Sequence, residues 1–197
     1  MIRVCTLQFG ERDYFAESKR FGESYCARHG YSWHVLPGVE YPDGRDLRWS
    51  KLPGVCEVLA LPDTDLVFYL DADATVSNQS LPVDRLVTVL GSKELLIGEQ
   101  HPNHVNTGVW LVKPSAIDIL RFWETTPELD PSLCHRWPVD EAGFNEHVKA
   151  KFGHRIVVKG RFELDLVTGF VHHQMSGDQT LKQRIMAVHN ERYRKPQ

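Results

Sequence analysis

The sequence predicts an α/β protein with a central, mostly parallel sheet flanked by helices. Short apolar segments with strand character alternate along the 197 residues with longer segments of helical periodicity. Residues 66–70, with the sequence LVFYL, show no polar alternation, which is typical of a strand buried on both faces. At 42% hydrophobic residues, the chain is long enough to bury a sizeable core, so residues 1–197 are expected to form a single domain.

The elements are expected in alternating order, which favours right-handed βαβ units. Strands are predicted, from their apolar and β-branched residues, over 2–7, 31–36, 66–70, 95–98, 106–112, 156–158 and 169–172. Helices are predicted, from their longer period, over 12–29, 49–61, 81–90, 115–123, 138–151 and 179–188.

Local signals set several element boundaries. Gly30 ends the first helix, and Pro62 ends the second. Pro114 closes the strand before it, and Ser115 is expected to cap the following helix. Residues 101–105 are polar and are expected to form a loop.

Composition excludes several classes of partner. The net charge of −3 and a pI near 6.4 give no basic surface for nucleic acid, and no apolar stretch is long enough to cross a bilayer. The N-terminus has no signal-peptide pattern. The four cysteines show no metal-ligand or CxxC spacing, which favours reduced thiols and a cytoplasmic protein. The oligomeric state is not indicated.

Two aspartates follow the apolar strand directly. Asp71 and Asp73 are separated by one residue, so a continued strand would point both carboxylates to the same face. The carboxyl ends of strands in open α/β sheets are where ligands bind. Because no cationic partner is evident in the sequence, a divalent cation is the expected means of holding the two like charges together.

Three alternatives accompany this hypothesis. The aspartates are also compatible with a solvated turn. The run Asp71-Ala72-Asp73-Ala74-Thr75 also fits the DxDxT motif of haloacid-dehalogenase-type phosphohydrolases, in which Asp71 would attack phosphorus and Asp73 would act as acid and base. Against that, two βα units precede the motif, and no later Gly-Asp-x-x-x-Asp follows. A non-catalytic sugar-nucleotide-binding module would keep the fold without turnover.

Four short stretches occur in an order that resembles a known family. They are WSKL at residues 49–52, DAD at 71–73, NTGV at 106–109 and DEAGFN at 140–145. Together they resemble the GT-A nucleotide-sugar glycosyltransferases, in particular the glycogenin-like and xyloglucan xylosyltransferase-like branches. The resemblance extends over about residues 2 to 182 and implies a single GT-A (Rossmann-like) domain.

The resemblance implies a metal site and a donor site. Asp71 and Asp73 would hold Mn²⁺ or Mg²⁺ against the donor diphosphate, with His172 as third ligand and His173 as the alternative. Two carboxylates and an imidazole suit manganese better than calcium. Other residues implied on the donor side are Thr6, Gln8, Lys51, Asn106, Gly108, Gly177 and Lys182.

The fourth stretch would face the transferred sugar. By resemblance, Asp140 contacts sugar hydroxyls and Glu141 lies under the anomeric carbon, where the glycogenin-like branch has Gln. A carboxylate there can stabilise oxocarbenium character, act as nucleophile or serve as general base. Acidic residues after Pro138 also suit a helix N-terminus for its dipole alone. The implied reaction transfers a sugar from a UDP-sugar donor to a glycan or other hydroxyl acceptor, with retention of configuration.

Overall fold

The computed structural model describes residues 1–76, 78–160 and 171–173. The strands are β1 (Ile2–Gln8), β2 (Ser32–Pro37), β3 (Leu66–Leu70), β4 (Ala74–Val76), β5 (Leu95–His101), β6 (His104–Val112), β7 (Ile156–Lys159) and β8 (Val171–His173). The helices are α1 (Phe15–His29), α2 (Lys51–Leu59), α3 (Asp84–Leu90), α4 (Ile117–Glu124), α5 (Thr126–Leu129), α6 (Val139–Gly143) and α7 (Lys149–Phe152). The predicted strand at 169–170 and the predicted helix at 179–188 lie outside the described residues.

Six strands form the central sheet, in the order β2-β1-β3-β6-β5-β7, and β4 pairs separately with β8. β2, β1 and β3 are parallel to one another, and β5 is parallel to β7. β6 runs antiparallel to both of its neighbours. The predicted mostly parallel sheet is therefore confirmed, with one antiparallel strand that the βαβ pattern did not predict.

The reversal at β6 has a local cause. The prediction of a polar loop over residues 101–105 was wrong, because β5 extends to His101 and β6 begins at His104. Asn103 turns the chain with a positive φ of 68°, a conformation that Asn tolerates better than most residues. Its backbone N–H donates to the Glu99 carboxylate at 2.7 Å. A tight hairpin joins neighbouring antiparallel strands, so β6 must run against β5.

Alternating side chains of the strands build two apolar cores, one on each face of the sheet. On β3, Val67 and Tyr69 lie in the core that α2 and α4 cover. Leu66, Phe68 and Leu70 lie in the core that α1 and α3 cover. All five side chains are buried, as the absence of polar alternation predicted.

Two helix predictions need correction. Ser115 does not cap a helix with its side chain; it lies in a 3₁₀ turn, Pro114–Ala116, and its hydroxyl donates to Glu94. The predicted helix over 138–151 is divided by a π-helical segment, Phe144–Val148, between α6 and α7. The preceding peptide bond, Trp137–Pro138, is cis.

None of the four cysteines forms a disulfide in the part of the chain that the structure describes. Among the same residues, no helix combines the length and the apolar character that a membrane span requires.

Candidate active site

Asp71 and Asp73 lie in a turn at the carboxyl end of β3. The strand ends at Leu70, and the Ala74 N–H donates to the Asp71 carbonyl at 2.9 Å, which closes the turn. The expected strand alternation of the two carboxylates was therefore wrong. The Asp71 side chain is 32% exposed, whereas Asp73 is buried.

The turn leads into β4, and β4 pairs with β8, the strand that contains the predicted third ligand, His172. β4 pairs antiparallel with β8, so that Thr75 is the register partner of His172 and Ala74 that of His173. The backbone of residues 171–173 therefore lies next to the strand that follows Asp73. Metal ligation by His172 or His173 stays a prediction, and Gly177 and Lys182 lie outside the described residues.

Lys51 supplies the cationic partner that sequence inspection did not find. It is 2% exposed, and its Nζ lies 3.0 Å from Oδ2 of Asp140 and 3.5 Å from Oδ1 of Asp71. The ammonium also donates to the Thr107 carbonyl at 3.3 Å. Burial alone would lower the pKa of Lys51, but the negative charges of Asp140 and Asp71 outweigh burial and raise this pKa to about 12. Lys51 is therefore a buried, fully charged ammonium.

Residues 106–108, which are part of β6, contact the aspartate turn. The Asn106 side-chain oxygen accepts from the Gly108 N–H at 2.8 Å, and the Gly108 carbonyl accepts from the Asp71 N–H at 2.7 Å. Asn106 is 5% exposed. The second and third of the four stretches, which contain Asp71 and Gly108, are thus in direct backbone contact.

Asp140 and Glu141 reach the same place from the start of α6. The Thr107 hydroxyl donates to Oδ2 of Asp140 at 2.6 Å, and the Thr107 N–H donates to Oε1 of Glu141 at 3.4 Å. Burial, with added repulsion from Asp140, raises the pKa of Glu141 to about 7. Glu141 therefore changes protonation state near neutral pH, which suits a group that exchanges a proton or stabilises charge.

Three aromatic side chains of the apolar core, Tyr69, Trp110 and Trp123, pack against one another and donate hydrogen bonds to this site. Tyr69 stacks on Trp110, which packs against Trp123. Each ring turns a polar atom toward the site: the Tyr69 hydroxyl donates to Asp71 at 2.8 Å, and the indole N–H groups donate to the carbonyls of Thr107 and Asp140, both at 2.9 Å. The core thereby fixes the polar groups above it.

Gly143 allows α6 to pack closely against Thr126 and Trp49. A Cβ on Gly143 would lie 2.5 Å from Oγ1 of Thr126 and 2.9 Å from the Trp49 ring. Only a residue without a side chain fits this contact. Gly143 therefore holds the first turn of α6, with Asp140 and Glu141, against the rest of the site.

Several residues of the site were missed or given another role from the sequence. Tyr14 immediately precedes α1 and is near enough to the aspartate turn that burial together with the charge of Asp73 raises its pKa to about 12. Thr107 was part of the third stretch but was given no role, and Tyr69 was treated only as a strand residue. Asn145 bonds β6 to α6, since Val105 N–H donates to its Oδ1 at 3.0 Å. For Thr107, Tyr69 and Asn145 the available signal was a position within or close to one of the four stretches, and for Tyr14 the sequence offered no signal.

Thr6 and Gln8 lie on β1, the strand beside β3. Among the residues that the structure describes, the Thr6 hydroxyl oxygen and the Gln8 side-chain nitrogen are buried without a hydrogen-bond partner. Buried polar atoms without partners are uncommon in folded proteins, and a ligand is one way of satisfying them. These two atoms are candidates for contact with a nucleotide.

The donor set fits a divalent cation. Two carboxylates, those of Asp71 and Asp140, pair with the one Lys51 ammonium, and the buried Asp73 carboxylate lies in the same turn as Asp71, so the formal charge of these groups is negative before Glu141 is counted. Carboxylate oxygens and an imidazole suit Mn²⁺, and carboxylates with phosphate oxygens suit Mg²⁺. Among the described residues, one group of three side chains has ligand atoms within 4.8 Å of one another, Asp130, Glu146 and His147, but Arg136 pairs with two of its carboxylates, those of Asp130 and Glu146.

Part of the sequence is similar to known glycosyltransferases. The family model for the galactosyl transferase GMA12/MNN10 family matches residues 5–95, which include Lys51, Asp71 and Asp73. Probable glycosyltransferase 6 of Oryza sativa subsp. indica is 30% identical over 123 residues, which is 57% of this chain and 25% of the plant protein. The protein of the same name from Oryza sativa subsp. japonica has the same values. The chain thus spans about a quarter of the curated relatives that it matches.

Comparisons of structure agree on the fold. A glycosyltransferase involved in the glycosylation of the major capsid of PBCV-1 has a TM-score of 0.80 at 18% identity, covering 95% of this chain and 98% of that one. The galactosyltransferase LgtC, solved with donor and acceptor sugar analogs, has a TM-score of 0.65 at 15% identity, covering 100% and 98%. The predicted resemblance is confirmed: the chain has the GT-A fold of these glycosyltransferases, and part of its sequence is similar to glycosyltransferases.

Proposed function

We propose that the chain transfers a sugar from a nucleoside diphosphate donor, a UDP-sugar, to a hydroxyl of a glycan acceptor, using Mn²⁺ or Mg²⁺ and retaining the anomeric configuration. The observation that carries this proposal is the convergence of four sequence motifs on one buried ammonium. Lys51, Asp71, the segment 106–108 and the start of α6 come from distant parts of the chain and meet through direct contacts. The phosphohydrolase hypothesis is set aside, because the family model and the relatives described above are glycosyltransferases.

The proposed metal ligands are Asp71, Asp73 and His172, with His173 as the alternative to His172. The exposed part of Asp71 opens toward solvent, while its Oδ1 is anchored by the Tyr69 hydroxyl and by Lys51. Such outer contacts orient a ligating carboxylate. A cation bound there would neutralise the donor diphosphate and stabilise the departing nucleoside diphosphate.

Lys51 is proposed to act as a fixed internal counter-charge. Its ammonium holds Asp71 and Asp140 at 3.5 and 3.0 Å, so the two carboxylates keep their spacing before any substrate arrives. Groups that are held in place beforehand need no reorganisation during the reaction. The contact of Lys51 with a donor phosphate or sugar oxygen remains a prediction from the resemblance.

Asp140 and Glu141 are proposed to face the transferred sugar. Asp140 is fixed by Lys51 and Thr107 and would accept from sugar hydroxyls. Glu141, when ionised, would attack the anomeric carbon or stabilise positive charge there. Attack would displace the nucleoside diphosphate, and the acceptor hydroxyl would then displace the carboxylate, so that two inversions give retention. Charge stabilisation would give retention where the acceptor enters on the face that the nucleoside diphosphate leaves. Asn106 and Gly108 would border the same sugar, and Thr6, Gln8 and Tyr14 would border the nucleotide.

The solved LgtC structure, with its donor and acceptor sugar analogs, motivates a sugar donor and a sugar acceptor here. Its 15% identity to this chain carries no further detail about which sugars these are.

Replacing Asp71 or Asp73 tests the metal site. Asp73→Asn and Asp71→Asn should weaken Mn²⁺-dependent UDP binding by about 100-fold or more, because changes even in the outer shell of metal sites cost about 10–100-fold. Calorimetric titration of UDP, first with Mn²⁺ and then with a chelator, measures this effect.

Asp65→Asn is the matched control, since Asp65 precedes the same strand at its other end and its side chain is 83% exposed. This variant should bind UDP as the unmodified chain does. Metal-dependent sugar transfer at the full rate by Asp73→Ala would overturn the proposed role of the turn.

Replacing Lys51 tests the counter-charge. Lys51→Met leaves Asp140 and Asp71 without their cation, so the free energy of unfolding should fall by about 3–5 kcal/mol. Urea denaturation measures the loss.

Lys19→Met, at a lysine that is 63% exposed, is the control and should change the free energy of unfolding by less than about 0.5 kcal/mol. Adding Asp140→Asn to Lys51→Met should recover part of the loss; a single-variant loss below about 1 kcal/mol would contradict the assignment.

Glu141 should make stability depend on pH when no divalent cation is present. Burial raises the pKa of Glu141 from its ordinary value of 4.5 to about 7 in the folded chain, so between these pH values the folded state retains a proton that the unfolded state loses. The contribution of Glu141 is therefore favourable at low pH and is lost as the pH rises toward and past 7. Glu141→Gln should gain stability relative to the unmodified chain by up to about 3 kcal/mol at pH 8, and less at pH 5.

Urea denaturation of both chains from pH 5 to pH 8, with a chelator present, measures this difference. Glu57→Gln, at an exposed glutamate, serves as the control. A gain for Glu141→Gln that is equal at both ends of the range would show that Glu141 is not perturbed by its surroundings.

A further inference from the structure

Trp137 differs from the other tryptophans of the chain. Trp49, Trp110 and Trp123 are fully buried, whereas Trp137 is 75% exposed, more than any other large apolar side chain that the structure describes. Exposing a tryptophan leaves a large apolar surface in water, which is unfavourable unless something covers it.

The exposed indole is held in place by an arginine. The guanidinium carbon of Arg48 lies 4.8 Å from the centre of the Trp137 ring, within the range of a cation–π contact. Arg48 itself pairs with Asp46, whose carboxylate also accepts from the Arg48 N–H at 2.9 Å. One face of the ring is therefore supported by the protein while most of the side chain remains in solvent.

The contact between Arg48 and Trp137 joins the same two segments of the chain as the salt bridge between Lys51 and Asp140. Arg48 and Trp137 each precede their counterpart by three residues, and the 3₁₀ turn Leu47–Ser50 brings residues three apart onto one side. The same two segments thus meet twice, once at the buried salt bridge and once at the surface. Trp137 lies outside α6, three residues before Asp140, and is the exposed member of this second contact between the two segments.

We propose that Trp137 is a stacking platform for a pyranose ring of the acceptor, which is therefore a carbohydrate. This inference rests on the proposed function and names the acceptor side of the same site. A pyranose has a face of C–H groups whose hydrogens carry partial positive charge, and the face of an indole is negative. The Arg48 guanidinium adds hydrogen-bond donors for hydroxyl groups beside the ring.

The position favours the acceptor over the donor. The donor nucleotide and diphosphate are assigned to Thr6, Gln8 and the aspartate turn, at the ends of β1 and β3. Trp137 instead adjoins the start of α6, next to the two carboxylates assigned to the transferred sugar. A ring stacked there would present a hydroxyl to that sugar from outside the fold.

The test compares Trp137→Ala, Trp137→Phe and Leu129→Ala in sugar-transfer kinetics, with UDP-sugar saturating and cellobiose, lactose or maltose varied as acceptor. Trp137→Ala should raise the acceptor KM about tenfold, the effect expected for one aromatic contact, and Trp137→Phe about threefold or less. Leu129, 60% exposed on α5, is outside the site, so Leu129→Ala should leave the kinetics unchanged. Calorimetric UDP binding with Mn²⁺ is measured for each variant.

An acceptor KM that does not change in Trp137→Ala would overturn the platform. A tenfold loss of UDP affinity in the same variant would also overturn it, since Trp137 would then belong to the donor site.

Failure of the proposed function is recognised separately, as absence of Mn²⁺-dependent UDP binding by the unmodified chain. In that case acrylamide quenching of the Trp137 fluorescence, taken as the difference between the unmodified chain and Trp137→Phe, decides the platform. Protection by one of the three disaccharides would support it, and no protection by any of them would overturn it.

Discussion

The buried ammonium of Lys51 is the constraint on which the site depends. A charge in the interior must be compensated by opposite charge and hydrogen bonds, because its desolvation is otherwise too costly. The compensating oxygens belong to Asp71 after β3, Thr107 on β6 and Asp140 on α6. One side chain from the start of α2 therefore fixes the relative positions of three other elements. The same contacts hold the carboxylates of Asp71 and Asp140 on the one Lys51 ammonium.

Packing in the core and geometry in the site are linked through aromatic side chains. Tyr69, Trp110 and Trp123 are fully buried, yet each places its one polar atom on a backbone or side-chain oxygen of the site. Aromatic rings have few rotatable bonds, so their packing determines where these donors point. A change in the volume of this core is therefore transmitted to Asp71 and Asp140 without any change in the site itself.

Much of this arrangement was predictable from the sequence. The unbroken apolar run of β3 correctly predicted a strand covered on both faces, and the order of the four motifs correctly predicted the GT-A fold. Local patterns failed where distant residues decide the outcome. The salt bridge between Lys51 and Asp71 joins residues 20 positions apart through folding, and no local signal marks it. The predicted end of β3 at Leu70 is confirmed, but the turn after it was not predicted, because the bond from the Ala74 N–H to the Asp71 carbonyl that closes the turn does not follow from apolar periodicity.

The central claim is that the turn at Asp71 and Asp73 binds the cation that holds a nucleoside diphosphate. The most direct measurement is a crystal structure of the chain with Mn²⁺ and UDP, with diffraction data collected where manganese scatters anomalously. The account predicts an anomalous peak at about 2.1 Å from carboxylate oxygens of both aspartates, with the UDP diphosphate on its other side. A peak confined to Asp130, Glu146 and His147, with UDP absent from the turn, would contradict it.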